Sequence, residues 1–231
     1  MTSWVDMPLC ALDTETTGVD ETTDKIVTAC VVSINGSKTV SRTWLADPGR
    51  DIPAAATEVH GITTEHARTN GRPHDEVVAE IVEALYTAWS SERAVVAFNA
   101  SFDLSIIAAN YPGFEVRGLV VDPFVIDRAF GHHTTWKRNL AAVCKDYGVR
   151  LDDAHSAEGD ALAAARLAWK LPRVYPVLQL ADANSLMESQ AHWYTERQYQ
   201  YIDYLRRNDR AVNDVNMSWP IRSSNRTAEA A

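Results

Sequence analysis

Asp13 and Glu15 are two carboxylates separated by one residue in the run Asp13-Thr14-Glu15-Thr16-Thr17-Gly18, which follows an apolar stretch from Met7 to Leu12. In an extended chain residues i and i+2 project to one face, so both acids point at one spot where a buried strand ends. Two anions roughly 4 Å apart repel by about 4 kcal/mol at an intermediate effective dielectric, so such a pair requires a cation, a shared proton or ample water. A divalent metal is the simplest of the three.

Two further segments carry groups of the same kind. Val95 to Asp103 reads as a strand running into a helix, with Asp103 in the helix's first turn. Taken alone, an acid there is explained by capping and dipole compensation. In His155-Ser156-Ala157-Glu158-Gly159-Asp160 a loop histidine precedes an aspartate about one turn into an Ala-rich helix, so both can face one cleft. A single loop histidine is usually only solvated. Glu158, Asp152 and Asp153 flank this segment and read as solvated.

The elements that must position these groups are legible from periodicity. Apolar runs at 7–12, 26–34 and 38–46 read as three strands in hairpin succession, with Asn35-Gly36 the clearest turn. Pro48 and Pro53 break the pattern. From Asp75 to Trp89 the helical spacing places Val77, Val78, Ile81, Val82 and Leu85 on one face. Residues 94–98 form a buried strand leading into a helix over 101–110, and 119–121 repeat the strand-to-helix step. Further helices cover 139–147 and 157–171. Pro172 and Pro176 mark a boundary, after which 184–207 reads as one long polar helix and 213–231 as a tail. Antiparallel strands followed by crossover units imply a mixed sheet covered by helices, with functional groups at strand ends.

The 231 residues fit one large α/β domain, 1–175, with a helical extension over 176–231. Apolar residues make up 46% and charged residues 23%, as in soluble globular proteins. The first residues lack the basic start and apolar run of a signal peptide, and no stretch suits a membrane span, which points to the cytoplasm. Cys10, Cys30 and Cys144 are isolated in apolar stretches and read as buried thiols. Net charge is −9, with 24 acidic against 16 basic side chains in 1–175. That excludes a broad non-specific grip on long nucleic acid and leaves a short, metal-mediated contact at a chain end.

Together, Asp13-Thr14-Glu15 with Thr16-Thr17-Gly18, Asn99 through Phe102-Asp103, and His155 through Asp160 resemble the DEDD superfamily of 3′-to-5′ exonucleases. The resemblance is to its DnaQ-like branch, which carries a histidine five residues before the last aspartate (DEDDh), and it covers most of residues 5–172. Within it, the likeness runs to the proofreading members and their stand-alone relatives. Val59-His60-Gly61-Ile62-Thr63 looks like that family's loop against the terminal nucleotide. Phe98 departs from the pattern, since many relatives have histidine there. The position is not one of the acids.

The resemblance implies a ribonuclease H-like fold with a mixed five-stranded sheet flanked by helices, and hydrolysis of phosphodiester bonds from a 3′ end with two divalent cations. Hard carboxylate oxygens suit Mg²⁺ or Mn²⁺. By resemblance Asp13 bridges both ions, Glu15 and Asp160 hold the ion that activates water, Asp103 acts directly or through water, and His155 is the base. His60, Gly61, Asn99 and the Thr14, Thr16 and Thr17 backbone would hold the last nucleotide, and Phe102 would wedge against its base. The expected partner is the 3′ end of single-stranded DNA. RNA or short oligoribonucleotides are the alternative substrate, and a catalytically silent module that binds a polymerase is a third reading. For a DNA polymerase partner, the helix bearing Trp193, Tyr194, Tyr199, Tyr201 and Tyr204 is the candidate docking element, against packing of those rings on the parent domain. Oligomeric state is not legible.

Overall fold

A computed structural model of the chain describes residues 3–131, 138–152 and 154–223. The three expected strands are β1 (Leu9–Thr16), β2 (Ile26–Asn35) and β3 (Lys38–Asp47), paired antiparallel in succession. Asn35 pairs with Lys38, so the turn is Gly36-Ser37, with Gly36 at φ 60°, one residue beyond the expected position. Two helices then follow where sequence offered only broken pattern: α1 (Ala54–His60) and α2 (Thr64–Asn70). Each has seven residues, and Ala67 alone is buried between them, so neither shows an apolar period.

β4 (Arg72–Pro73) leads into α3 (His74–Ser90), which buries the five residues its spacing indicates. Next come β5 (Ala94–Val96), α4 (Ala100–Asn110), β6 (Val120–Val121), α5 (Pro123–Phe130), α6 (Leu140–Tyr147), α7 (Ala157–Val174) and α8 (Ala183–Arg207). The sheet order is β4-β3-β2-β1-β5-β6, with β1, β5 and β6 parallel to one another. Six strands replace the expected five because the two-residue β4 adds to the β3 edge. This mixed, helix-flanked sheet is the ribonuclease H-like arrangement.

Alternation along β1 divides the core. Cys10 and Leu12 face α3 and α4, whereas Ala11 faces α7. The α7 side is Ala161, Ala164, Ala165 and Ala168, whose small side chains let the helix lie close on the sheet. Pro172 sits inside α7 and does not end it; the helix runs on to Val174. Cys10, Cys30 and Cys144 are buried free thiols, as their surroundings indicate.

α8 is polar in sequence yet fixed to the sheet. Buried Gln190 donates to the Val120 carbonyl (2.8 Å) and accepts from the Asp122 N–H (2.7 Å), so its amide satisfies the otherwise unpaired β6 edge. The chain after α8 also packs, contrary to its reading as a tail: Val215 is buried against Ile202 and Leu205, and Trp219 and Ile221 pack on the core beside α4. Residues 224–231 of that expected tail lie outside the described residues. Among the described residues no helix is long and apolar enough to cross a membrane.

Candidate functional site

Asp13 and Glu15 lie at the carboxyl end of β1, the end at which open α/β sheets hold their ligands. Asp160 reaches them from the first turn of α7, which Ser156 starts by accepting from the Gly159 N–H (3.1 Å). One oxygen from each of Asp13, Glu15 and Asp160 falls within 4.8 Å of the others. Asp160 is thus brought to β1 by the alanine face of its own helix.

Asp103 enters from the opposite side, on α4. Its Oδ1 accepts from both the N–H (3.0 Å) and the hydroxyl (2.7 Å) of Thr14, the residue between the two β1 acids. α4 starts abruptly after β5 because Asn99 takes a left-handed backbone (φ 67°), which Asn tolerates better than most residues. Asp122, fully buried, holds that corner: its oxygens accept from the N–H groups of Asn99 (3.0 Å) and Ala100 (2.9 Å) and, as cap of α5, from Phe124 (3.0 Å). Asp122 is absent from the residues expected from sequence. The signal was there in an aspartate at a strand end directly before Pro123, the usual order of N-cap and first helical residue.

Crowding shows in the electrostatics. Burial, and then the charges of Asp103, Asp160 and Glu15, hold Asp13 well above the usual carboxylate range. Glu15 is pushed up to about 7 by burial and by Asp160 and Asp103. Asp103 reaches about 7 through burial, opposed by its Thr14 hydrogen bonds. Asp160 is raised by burial, with His155 opposing, and its buried Oδ1 has no hydrogen-bond partner among the described residues. An oxygen-only donor set, mutual repulsion and an orphaned carboxylate oxygen together fit a hard divalent cation. Asp13, Glu15 and Asp160 would hold it, with Asp103 adjoining.

His155, at φ 68° just before α7, lines an open cleft of about 690 Å³ with Glu15 and His60. His60 ends α1, where Gly61 (φ 78°) closes the helix in the left-handed region. His60 Nδ1 accepts from the Ile62 N–H (3.1 Å), leaving the buried Nε2 without a partner among the described residues. The Thr14 hydroxyl goes to Asp103, the Thr16 hydroxyl donates to the Gly18 carbonyl (2.6 Å), and the Thr17 hydroxyl donates to Asp24 (2.7 Å). All three hydroxyls are therefore used internally. A side chain on Gly18 would collide with Asp24. Phe102 is half-buried against the core beside α3 and α4. Glu158 is exposed and accepts from Ser41, while Asp152 pairs with Arg150 and Arg166; Asp153 lies outside the described residues.

A ribonuclease H-like sheet whose parallel strand ends carry a carboxylate cluster defines the class, an α/β protein of the nuclease type. Residues 10–168 match the exonuclease family of the RNase T type. The chain belongs to the DnaQ-like 3′–5′ exonuclease family. It is 32% identical over 170 residues to the PolC-type DNA polymerase III of Listeria innocua, covering 72% of this chain and 11% of that protein. With the Streptococcus pneumoniae PolC-type polymerase it shares 31% over 160 residues, or 67% and 10%. The chain thus matches only a small part of those polymerases. Escherichia coli exonuclease I, in its zinc-bound complex with single-stranded DNA, is similar at TM-score 0.61 and 17% identity, covering 75% of this chain and 42% of that one. Exonuclease X in complex with 5′-overhanging duplex DNA gives TM-score 0.57 and 21% identity, covering 79% and 99%. At these identities the likeness is one of fold.

Proposed function

We propose that this chain is a divalent-metal-dependent 3′-to-5′ exonuclease acting on DNA, of proofreading or repair type. Residues 1–175 form the nuclease unit and 176–231 its extension. The observation that carries the reading is the convergence of Asp13, Glu15 and Asp160 within 4.8 Å, with Asp103 tied to Thr14 between them. Four acids serve a two-metal centre; Mg²⁺ or Mn²⁺ bound there would offset charge on the phosphate and leaving oxygen and make water acidic enough to react.

The protein's own groups do the rest. His155 takes the proton from the attacking water, the general-base task for which histidine is the side chain most often used. His60, on the wall of the cleft that Glu15 and His155 line, offers a hydrogen bond to the terminal nucleotide. The backbone from Thr14 to Thr17, at the end of β1 and just beyond it, and the Asn99-Ala100 corner frame the 3′ end, and Phe102 stacks on its base with little base preference. DNA is preferred over RNA because the PolC-type relatives are DNA polymerases and the exonuclease I and X complexes contain DNA. The same relatives support a polymerase as partner.

Digestion of matched 5′-labelled DNA and RNA single strands with Mg²⁺ or Mn²⁺, beside EDTA and Asp13→Ala controls, tests the reading. A descending DNA ladder that needs both metal and Asp13 supports it. A faster RNA ladder moves the substrate to RNA, and no ladder from folded protein leaves a silent module.

A further inference from the structure

Two of the rings on α8 turn inward: Trp193 packs edge-on against Phe130 (5.0 Å between ring centres), and Tyr194 is buried. A denser apolar surface lies elsewhere. Trp169 (56% exposed), Val174, Val177 and Leu180 are four of the nine large exposed apolar side chains among the described residues, and all four fall within 169–180, at the end of α7 and in the 3-10 turn Pro176–Leu180 behind it. Such concentration marks a contact surface, whereas apolar side chains scattered singly call for no explanation.

Trp169 stands on a groove of about 480 Å³ between α7 and the β2–β3 hairpin. Half-buried Leu9, Ile34 and Leu162, packed on the core beneath, supply its apolar floor. Arg150, Arg166 and Lys170 line it as well, and among the described residues no acid does. Arg150 and Arg166 share one oxygen of Asp152 (2.9 and 3.1 Å), and Arg173 lies over the Trp169 ring at 3.5 Å. Among the described residues, four cations thus stand in and beside the groove against that one carboxylate, in a chain of net charge −9. Glu158, one turn before Leu162 on α7, bonds Ser41.

Apolar floor and cationic rim together define the occupant. A nucleic-acid strand would lay phosphates over Leu9, Ile34 and Leu162 and find one ring to stack on. The apolar face of an amphipathic protein helix fills that floor, and acidic side chains along its flank meet Arg150, Arg166, Lys170 and Arg173. Tryptophan and arginine are the residue types that most often anchor such contacts. Location favours docking too: Leu9 opens β1 while Asp13 and Glu15 lie toward its other end, and Trp169 stands nine residues, about 14 Å of helix, beyond Asp160 on α7. A segment seated there leaves the cleft of Glu15, His60 and His155 open.

We propose that the groove between α7 and the β2–β3 hairpin docks an acidic, amphipathic helix of a protein partner, with its apolar face on Leu162 and Trp169 and its acids on Lys170 and the arginines. Hydrolysis plays no part in it, so a protein that yields no ladder can still dock the helix. The test is selection of a displayed library of random peptides of about 16 residues on the full chain, followed by fluorescence anisotropy of the enriched peptides with the chain and its variants. Enriched peptides are expected to carry apolar residues at i, i+3 or i+4 and i+7, flanked by Asp and Glu, and to lose affinity as salt rises. They should bind Trp169→Ala roughly 10-fold or more weakly and Lys170→Glu roughly 3-fold or more weakly. Trp169 is more than half exposed, so its truncation opens no buried cavity, and Lys170→Glu provides a second variant that keeps the ring. No enrichment, enriched peptides without acids, wild-type affinity in both folded variants, or displacement of the peptide by dT16 overturns the proposal. A chain that sediments as a dimer, and as a monomer after Trp169→Ala, gives the face to a second copy and overturns it as well.

Discussion

The Thr14 backbone N–H and side-chain hydroxyl both donate to one oxygen of Asp103, 89 residues away, so the residue between the two β1 acids also fixes the acid on α4. Thr14→Val keeps the backbone donor and the side-chain volume but loses the hydroxyl. With one of its two anchors gone, Asp103 should turn more freely and hold its proton more tightly. The expected result is a fall in kcat of roughly 10-fold with KM little changed, as for loss of one charge-assisted hydrogen bond of about 1.5 kcal/mol. Wild-type kcat in Thr14→Val would mean that the hydroxyl does not position Asp103.

Crowded carboxylates make the metal-free protein sensitive to pH, with a definite sign. Glu15 and Asp103 sit near 7 when folded, against about 4 when unfolded, so the folded state binds more protons between those values. Stability from these groups is therefore complete below about pH 4 and is lost as pH rises through about 7. Thermal unfolding in EDTA should give a Tm contribution that declines over this window, and Mg²⁺ should raise Tm more at pH 8 than at pH 5. An equal Mg²⁺ effect at both pH values would argue against binding at these acids.

His155 stands at φ 68°, where a β-carbon is strained, so the choice of substitution matters. His155→Asn keeps a residue that tolerates the left-handed region and removes the imidazole. Turnover should fall by roughly 10² to 10⁴ while Tm stays within a degree or two, because only the proton acceptor is removed. Retention of more than a tenth of the activity would remove His155 from the role of base.

What could be read without coordinates follows from how local the information is. α3 and α7 were legible because 17 and 18 residues give a full apolar stripe, and the acids were legible because each stands at a fixed offset from a strand or helix end. α1 and α2 were not, since seven residues with almost no buried side chain carry no period. The Asp122 corner was legible only as a helix cap before Pro123: the local donors are residues 124 and 125, but those from residues 99, 100 and 219 lie far along the chain and no linear pattern joins them. α8 read as a polar helix with its packed face unassigned, because the residue that ties it to the sheet is a glutamine.

The same long range explains why the chain after α8 should matter to the site. Trp219 Nε1 donates to Asp122 (3.3 Å), and Arg222 bonds three residues in two places: its N–H donates to the Ser105 hydroxyl (2.8 Å), and its guanidinium to the Ser101 hydroxyl (3.3 Å) and to Glu21 (3.1 Å). Ser101 and Ser105 flank Asp103 on α4, and Glu21 lies in the loop after Thr16-Thr17-Gly18, so Arg222 joins α4 to the loop that follows β1, and α4 and β1 carry three of the four acids. Its ion pair is only about a fifth exposed on either side, which places it above the small worth of a fully solvated pair. Arg222→Ala should cost about 1 to 3 kcal/mol, a fall in Tm of roughly 2–12 °C at this chain length, because the Glu21 carboxylate and the Ser101 hydroxyl lose their partner together while the backbone bond to Ser105 remains. Activity measured well below the new Tm should fall mainly in kcat, since the acids would be less firmly held while the nucleotide contacts persist. Arg222→Lys, which keeps the charge but not the fork, should recover the stability only in part. If Arg222→Ala unfolds at the wild-type temperature with unchanged kcat, the segment is packing alone and the acids are positioned without it.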